Sequence, residues 1–263
     1  MKKKRVIALL LIKDGILVQS KKFERHQNLG NPYFAVKRLS EWASDELIYL
    51  DITDKNHSLN LSSSKKSFLG IIEEVSKSAL MPITVGGGIS SIADIEERLA
   101  HGADKISINS VIFEKQEFIL DAAKKFGSQC IVASIDIKKN GDNFYIFSEY
   151  GRKLIKEDPL NILKRVQDQG AGEILINFID HDGMKNGYDI NLINKLSECI
   201  KIPFIVCGGA GQWSDFKEIF DKTSADAAAA ANIFHHIDQS MYLAKNYLFE
   251  NGCNVRKPQL LEI

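Results

Sequence analysis

Two glycine-rich stretches have the composition of anion-binding loops. "VGGG" (85–88) and "CGGAG" (207–211) each follow a short apolar run and precede an amphipathic segment. Glycines at such a junction let backbone N–H groups approach a phosphate, and the N-terminus of the following helix favours negative charge. A later polar strand end would complete each cradle with side-chain donors, Asn109 with Ser110 in one case and Asn232 in the other. Two cradles predict a ligand with two phosphates, or one long molecule across two anion sites. Alternatively, the glycines only form tight turns.

Asp136 is the candidate acid or base. It lies in the apolar run "VASIDIKKNG" (132–141), two residues before a lysine. The earlier run "ALLLIKDG" (8–15) has the same spacing to its lysine, but Leu11 occupies the position of the acid. Leucine cannot transfer a proton. Position 11 is therefore either an ordinary core position or a place where an acid has been lost.

Eight short apolar or β-branched runs are the strands that must position these residues. They are 5–12, 46–53, 82–87, 105–109, 130–137, 173–179, 203–208 and 225–231. Amphipathic segments lie between most of them, such as 90–102 and 159–170. This alternation predicts an α/β protein with a single (β/α)8 barrel, the TIM barrel, rather than an open doubly wound sheet. We find no linker or change in composition, so we predict one domain over residues 1–263.

An internal repeat supports the barrel. Four segments of the first half match segments of the second half in the same order, at an offset of 121 to 127 residues. The matched residues are Pro82 with Pro203, Glu46 with Glu173, Asp104 with Asp226, and Lys13 with Lys138. Two four-stranded halves close naturally into one barrel. The same repeat pairs Leu11 with Asp136.

Composition limits the partners and the compartment. The chain has 34 basic and 34 acidic residues, so nothing in its net charge favours nucleic acid or an anionic membrane surface. The four cysteines form no metal-binding spacing, which predicts reduced thiols in a cytoplasmic protein without a metal or cofactor. No apolar stretch approaches the roughly 20 residues of a membrane helix. We interpret "MKKKRVIALLLI" (1–12) as a first strand rather than a signal peptide.

The motifs "DITDKN", "TVGGGI", "GADKISINS", "FGSQCIVASIDIK", "GAGEILINFIDHDGMKNGYD" and "NGCNVR" resemble the cyclase subunit of imidazole glycerol phosphate synthase. The resemblance extends from Arg5 to Arg256. It implies a (β/α)8 barrel that works with a class I glutaminase subunit as a heterodimer. Ammonia released from glutamine crosses the barrel and attacks a bisphosphorylated ribulosyl intermediate of histidine biosynthesis. Two aspartates, on the first and fifth strands, act as acid and base.

At the catalytic end that the resemblance implies, only some of the family's residues are present. Asp136 matches the fifth-strand acid, but Leu11 stands where the first-strand acid belongs. Other positions also depart from the family: Gln19 replaces a lysine, Asn177 and Phe178 replace Thr-Ser, and Cys207 and Asn232 replace serines. These departures predict a diverged second paralogue.

The remaining site residues follow from the glycine loops and the resemblance together. The predicted phosphate-binding residues are Gly87, Gly88, Asn109, Ser110, Asp182, Gly183, Gly208, Gly209, Ala231 and Asn232. The resemblance implies an ammonia gate at four strand starts, formed by Arg5, Glu46, Lys105 and Glu173. Alternatively, these charges only reach solvent. It also implies a glutaminase interface that includes Asp104 and Gln129.

Several residues have a structural alternative. Asp182 either shapes its loop or contacts a ligand, and Cys207 is predicted to be a packing residue without a paired base. We predict that His235 and His236 are surface residues at the start of a helix. Three functions remain open for the whole chain. It is a cyclase in which another group replaces the lost acid, a paralogue that delivers ammonia to a sugar amidotransferase of surface-polysaccharide biosynthesis, or a non-catalytic scaffold that activates a glutaminase.

Overall fold

Eight parallel strands close into a barrel in the order in which they follow one another along the chain, with the last paired to the first. The computed structural model describes residues 2–54, 68–141 and 143–260. The last two residues of the "DITDKN" motif lie outside these ranges. The strands are β1 Arg5–Lys13, β2 Ile16–Lys21, β3 Arg25–Gly30, β4 Glu46–Asp51, β5 Ile83–Gly86, β6 Lys105–Ile108, β7 Ile131–Asn140, β8 Asn143–Ser148, β9 Lys153–Ile155, β10 Glu173–Phe178, β11 Phe204–Cys207 and β12 Ala227–Ala230. The predicted (β/α)8 fold is confirmed.

Helices connect the barrel strands and pack on their outer face. They are α1 Pro32–Glu41, α2 Phe68–Ser76, α3 Ile92–Ala100, α4 Val111–Glu114, α5 Phe118–Phe126, α6 Pro159–Asp168, α7 Ile190–Ser197, α8 Trp213–Lys222 and α9 Ser240–Glu250. Three short 3-10 turns cover Ser128–Cys130, Ile179–His181 and Asn232–Phe234. None of the helices in the described ranges has both the length and the apolar character to cross a membrane.

The internal repeat reappears in the strand pairing. Ile7 pairs with Glu46 between β1 and β4, and Val132 pairs with Glu173 between β7 and β10. The next strand pairs agree in the same way, since Leu47 pairs with Ile83 and Ile174 pairs with Phe204. Because one-residue slips would reverse which side chains face inward, equal registers give both halves the same inward positions.

The strands bury side chains on both faces. Alternate residues point into the barrel, including Ile7, Leu9, Ile48, Leu175 and Ile205. The residues between them pack against the helices in a larger outer cluster. β12 consists of four buried alanines, so the inward side chains of this strand end at Cβ.

Two hairpins extend the barrel at its carboxyl end. β1 turns back through Asp14 and Gly15, which have φ angles of 50° and 74°, into β2 and β3. The second hairpin runs from β7, which ends at Asn140, into β8 and β9. Both central residues of a tight two-residue hairpin loop need positive φ, which Asp-Gly provides. Asp14-Gly15 therefore ends β1, as a turn signal after an apolar run predicts, and forms the tip of a hairpin.

Candidate active site

A cavity of about 610 Å³ opens at the carboxyl ends of the barrel strands. Its wall includes Leu11, Asp136, Asn109, Asn177 and Gly88. In (β/α)8 enzymes this end of the barrel holds the reacting groups. The β2–β3 turn (residues 22–24) and the β8–β9 turn (residues 149–152) also line the cavity, and they therefore form the rim of the site.

Asp136 is the central ionisable group of this cavity. The residue is 6% exposed. Its Oδ1 accepts a hydrogen bond of 2.7 Å from Asn177 Nδ2, and its Oδ2 accepts one of 3.2 Å from Asn109 Nδ2. Burial raises the pKa of Asp136 to about 6, against the opposing effect of the two amides. A carboxyl group with this pKa can both take up and release a proton near neutral pH.

Leu11 occupies the position that the repeat and the resemblance assign to a second acid. It is 7% exposed and packs with Val18 and Leu50 in the barrel interior. It lines the same cavity as Asp136. Four other carboxylates border the described wall of this cavity, namely Glu24, Asp51, Asp54 and Glu149.

None of these four carboxylates lies on β1, the strand that contains Leu11. Asp51 lies between the inward residues Leu50 and Ile52, so strand alternation turns its side chain away from the barrel axis. Its Oδ1 accepts the Thr53 backbone N–H at 3.0 Å. Asp54 is paired with a rim arginine, and Glu24 and Glu149 are exposed.

The first glycine loop borders the large cavity. Gly87 and Gly88 have φ angles of 96° and 63°, in the region that favours glycine. A Cβ on Gly87 would lie 2.1 Å from the carbonyl oxygen of Asp51. The predicted donors Asn109 and Ser110 also line this cavity. Ser110 Oγ accepts a hydrogen bond of 3.2 Å from the backbone N–H of Glu149.

Arg98 lies behind this loop, a residue that the sequence analysis did not single out. Only 8% of it is exposed. Its Nη2 donates to the Gly87 carbonyl at 2.8 Å, and its Nη1 donates to the Asp94 carbonyl at 2.9 Å. Its Nε is buried without a hydrogen-bond partner among the described residues. The signal was present in the sequence, because the 3.6-residue period places Arg98 on the buried face of α3 beside Ile95.

The second glycine loop borders an adjoining, smaller cavity of about 50 Å³, which shares Leu11, Phe23, Leu50 and Asn177 with the large one. The remaining predicted phosphate-binding residues line it: Asp182, Gly183, Gly208, Gly209, Ala231 and Asn232. Asp182 accepts hydrogen bonds from Ser20 Oγ at 2.6 Å and from the Phe23 N–H at 3.2 Å. Asp182 therefore fixes the tip of the β2–β3 hairpin.

Cys207 and the two histidines also have structural settings. Burial raises the pKa of the Cys207 thiol well above its usual range, and the charges of Asp182 and Asp136 add to this effect. The thiol therefore stays protonated, as a packing residue would.

The prediction for the histidines is wrong in two respects. They precede α9 by several residues, and His235 is partly buried because Asn232–Phe234 forms a 3-10 turn that draws it inward. His236 is exposed.

A ring of four charges lies at the opposite end of the barrel. Arg5 Nη1 contacts Glu46 Oε2 at 2.8 Å, and Arg5 Nη2 contacts Glu173. Lys105 Nζ lies 3.0 Å from Glu46 Oε2 and 2.9 Å from Glu173 Oε2. Thr84 Oγ1 adds a hydrogen bond of 2.6 Å to Glu46. Every member of the ring thus contacts two neighbours of opposite charge.

The two carboxylates are the more buried members of this ring. The Glu46 and Glu173 side chains are 2% and 8% exposed, whereas Arg5 and Lys105 are 26% and 22% exposed. Burial alone would raise the pKa of Glu173, but Arg5 and Lys105 outweigh it and hold that pKa below its usual value. Glu173 is therefore ionised at neutral pH.

Asp104 and Gln129 are exposed at the same end of the barrel. They precede the neighbouring strands β6 and β7. The Asp104 carboxylate accepts the Ile83 N–H at 2.8 Å, which fixes its position beside the ring. Within the described ranges, no group of three or more His, Cys, Asp or Glu side chains could hold a metal ion.

Comparison with known families decides where this barrel belongs. A family model described as "Histidine biosynthesis protein" matches residues 5–239. The chain belongs to this family. Within the family it is similar to imidazole glycerol phosphate synthase subunit HisF of Natranaerobius thermophilus, with 40% identity over 253 residues. The alignment covers 96% of this chain and 98% of that relative. The resemblance based on the sequence motifs is thereby confirmed.

Family membership brings the two ends of the barrel into one interpretation. The chain is a homologue of the cyclase subunit of imidazole glycerol phosphate synthase over nearly its whole length. The carboxyl end contains Asp136 and, at the position that the resemblance assigns to a second acid, Leu11, while the amino end contains a ring of four charges.

Proposed function

We propose that this chain is the ammonia-accepting subunit of a glutaminase-dependent enzyme, and that it has lost the two-acid cyclisation of its relatives. The observation that carries the proposal is the contrast between the two ends. The charged ring is complete, whereas apolar Leu11 shares the cavity with Asp136. Ammonia then reaches a different acceptor at the carboxyl end of the barrel.

The ring supports the first part of the proposal. Two cations and two carboxylates neutralise one another around the barrel axis, so they can line an entrance without a net buried charge. Beyond the ring the interior is lined mostly by apolar side chains, with Ser107 and Ser134 on the side that leads to Asp136. Neutral ammonia crosses such an interior at far lower cost than a charged ammonium ion.

The cavity supports the second part. Asp136 supplies one proton-transfer group with a pKa of about 6, and Leu11 supplies none. Loss of one partner of an acid/base pair lowers the rate by roughly 10²–10⁴. Asn177 also donates to both Asp136 and Ser134, which ties this catalytic position into a polar network.

The partners follow from the resemblance. A class I glutaminase in the same cytoplasmic compartment would dock at the amino end, on the face that contains Asp104 and Gln129. The acceptor would be a phosphorylated small molecule in the cavity, or a sugar that a third protein amidates for surface-polysaccharide biosynthesis. A scaffold that only activates the glutaminase is compatible with the ring but leaves the large cavity without a role.

An ordinary cyclase is the second candidate. The retained Asp136 and the 40% identity to HisF favour it. In that case another group must act in place of the first-strand acid. The cavity-facing alternatives among the described residues are the rim carboxylates Glu24, Asp54 and Glu149.

One assay separates these functions. The purified full chain is given the bisphosphorylated cyclase intermediate with ammonium salt, so that no glutaminase is needed. We expect turnover at least about 10²-fold below that of an intact cyclase. Leu11→Asp should recover little of it, because Gln19 and Phe178 also differ from the family pattern. Leu11→Asn is the matched control without a carboxylate. Turnover within tenfold of an intact cyclase would reject the proposal.

A second measurement tests the ammonia route. The chain is mixed with a class I glutaminase from the same cell, and glutamine hydrolysis is followed with and without it. We expect complex formation and faster glutamine hydrolysis. Failure to bind any such glutaminase would remove both the ammonia route and the scaffold function.

A further inference from the structure

The two glycine loops share one backbone design. A Cβ on Gly87 would lie 2.1 Å from the Asp51 carbonyl oxygen, and a Cβ on Gly208 would lie 2.8 Å from the Phe178 carbonyl oxygen. The following helices begin alike. Asp94 accepts backbone N–H bonds from Ser90 and Ser91, as Asp215 does from Gly211 and Gln212. Differences in phosphate binding must therefore come from the side chains around each loop.

The side chain behind each loop is the first difference. Arg98 places a guanidinium behind the first loop and donates to the Gly87 carbonyl at 2.8 Å. The repeat that pairs Pro82 with Pro203 places Ile219 at the equivalent position of α8, fully buried. A buried cation within one loop of an anion site is weakly screened and stabilises negative charge there. The second loop has no such charge behind it.

The polar atoms in front of the loops are the second difference. The described wall of the large cavity includes four cationic side chains, Lys13, Lys22, Lys138 and Arg152, which offset most of the charge of its five carboxylates. The described wall of the small cavity contains the Asp182 carboxylate and no lysine or arginine that would offset it. Asn232 directs its Nδ2 to the Ser20 carbonyl at 2.8 Å, which leaves its buried Oδ1 without a partner among the described residues. Acceptors and a carboxylate oppose an anion in a desolvated space.

The hairpin tip is the third difference, because it occupies the approach to the second loop. Ser20 contacts both Asn232 and Asp182, and the backbone N–H of Phe23 donates to Asp182. Phe23 also lines the small cavity and lies against Gly151 of the other hairpin. The side-chain donor that the repeat would offer to a second phosphate, Asn232 Nδ2, is thus used within the protein.

We propose that this chain binds a ligand with a single phosphate group, held at the Gly87–Gly88 loop in front of Arg98, while the β2–β3 hairpin tip closes the second loop. The ligand class is a singly phosphorylated sugar or similar phosphate monoester, not a bisphosphate. This deepens the proposed function, because it names the class of acceptor that would replace the bisphosphorylated intermediate.

The test compares three probes by calorimetric titration of the full chain: inorganic phosphate, ribose 5-phosphate and ribulose 1,5-bisphosphate. We expect one phosphate per chain and affinities for the two sugars that agree within about threefold. Two bound phosphates per chain would overturn the proposal. So would a bisphosphate preference above about tenfold, or no binding of any probe.

Two variants at equivalent positions locate the site. Arg98→Ile gives the first half the residue of the second, and Ile219→Leu is the matched control at the other loop. Arg98→Ile should weaken phosphate binding by about tenfold or more, whereas Ile219→Leu should leave it unchanged. Arg98→Lys keeps the charge if Arg98→Ile fails to fold, and it should retain part of the affinity. Equal losses in the Arg98 and Ile219 variants would refute the assignment. No glutaminase or ammonia is present, so this result is independent of the ammonia route.

Discussion

Asp136 is held between two opposing influences. Burial disfavours its charged form, while the amide groups of Asn109 and Asn177 donate to that form. Burial is the larger effect, so its pKa rises from 3.8 to about 6. The charged form of Asp136 therefore destabilises the folded protein, and the size of this destabilisation depends on pH.

The pH dependence of stability should reveal this cost. Because the folded pKa lies above the unfolded pKa, the contribution of Asp136 to stability is fully present below about pH 4 and is lost as the pH rises through about 6. The unfolding free energy of the wild type, minus that of Asp136→Asn, should therefore fall by about 1–3 kcal/mol from pH 4 to pH 7. Urea unfolding at several pH values measures it. A difference that stays constant with pH would contradict the prediction.

The first glycine loop depends on the missing Cβ of one residue. Gly87→Ala combines positive φ with a Cβ placed 2.1 Å from the Asp51 carbonyl oxygen, so the loop or the end of β4 must move. Gly141→Ala is the matched control, since its φ is +61° and nothing lies within 4 Å of its Cβ position. We expect Gly87→Ala to cost at least about 2 kcal/mol more than Gly141→Ala in chemical denaturation. Equal costs would show that the loop adapts freely.

At the scale of strands, the charged ring joins four strand starts that are far apart in the chain. Glu173, like Glu46, bridges Arg5 of β1 and Lys105 of β6. Glu173→Gln would leave both cations short of one partner. We expect a loss of about 2–4 kcal/mol in unfolding free energy, less than for a fully dry pair because the cations are partly exposed.

A surface pair provides the control for the ring. Lys125 and Glu96 form an ion pair of 2.6 Å between α5 and α3, with about half of each side chain exposed. Glu96→Gln should change stability by less than about 1 kcal/mol, and added salt should abolish even that. If Glu173→Gln lowered the unfolding free energy by as little as Glu96→Gln, the ring would not behave as a buried network.

The barrel strands were predictable from the sequence, and the hairpins were not. Buried parallel strands are short apolar runs, and all eight predicted runs form barrel strands. Asp14-Gly15 and Asn140-Gly141 are strong hairpin signals, but the strands that follow them are partly polar and resemble loops. Position 98 illustrates a different limit. Its place on the buried face of α3 can be read from periodicity, whereas its bond to the Gly87 carbonyl requires the folded loop.

For the whole molecule, the two ends of the barrel differ in their chemical groups. The amino end presents the ring with Asp104 and Gln129, and the carboxyl end holds Asp136 and the cavity. The site residues were predictable where they lie at strand ends, since topology brings all strand ends of one kind together. The difference between the surroundings of the two glycine loops was not predictable. It depends on the hydrogen bonds that the β2–β3 hairpin makes with Asn232 and Asp182.

The amino end allows a matched test of glutaminase docking. Asp104 and Asp226 have the same structural role, since each accepts the backbone N–H that starts a neighbouring strand. Asp104→Lys and Asp226→Lys should therefore cost similar stability. Only Asp104→Lys should weaken binding to the glutaminase, by at least about tenfold, because it reverses a charge on the proposed face. Surface plasmon resonance measures both affinities. Equal affinities would place the interface elsewhere.

The alanine strand β12 has a consequence for how the barrel forms. This strand pairs with both β11 and β1 and so closes the ring of strands. Alanine has a low β-strand propensity, and its small side chain offers little surface for an early contact. Arg5 and Ala227, which pair across this seam, come from opposite ends of the chain, so their contact carries a large loop-closure cost. We expect β12 to dock after the folding transition state. Ala228→Gly should then speed unfolding and leave the folding rate nearly unchanged in stopped-flow kinetics. The closing seam would thus be the first part of the barrel to open.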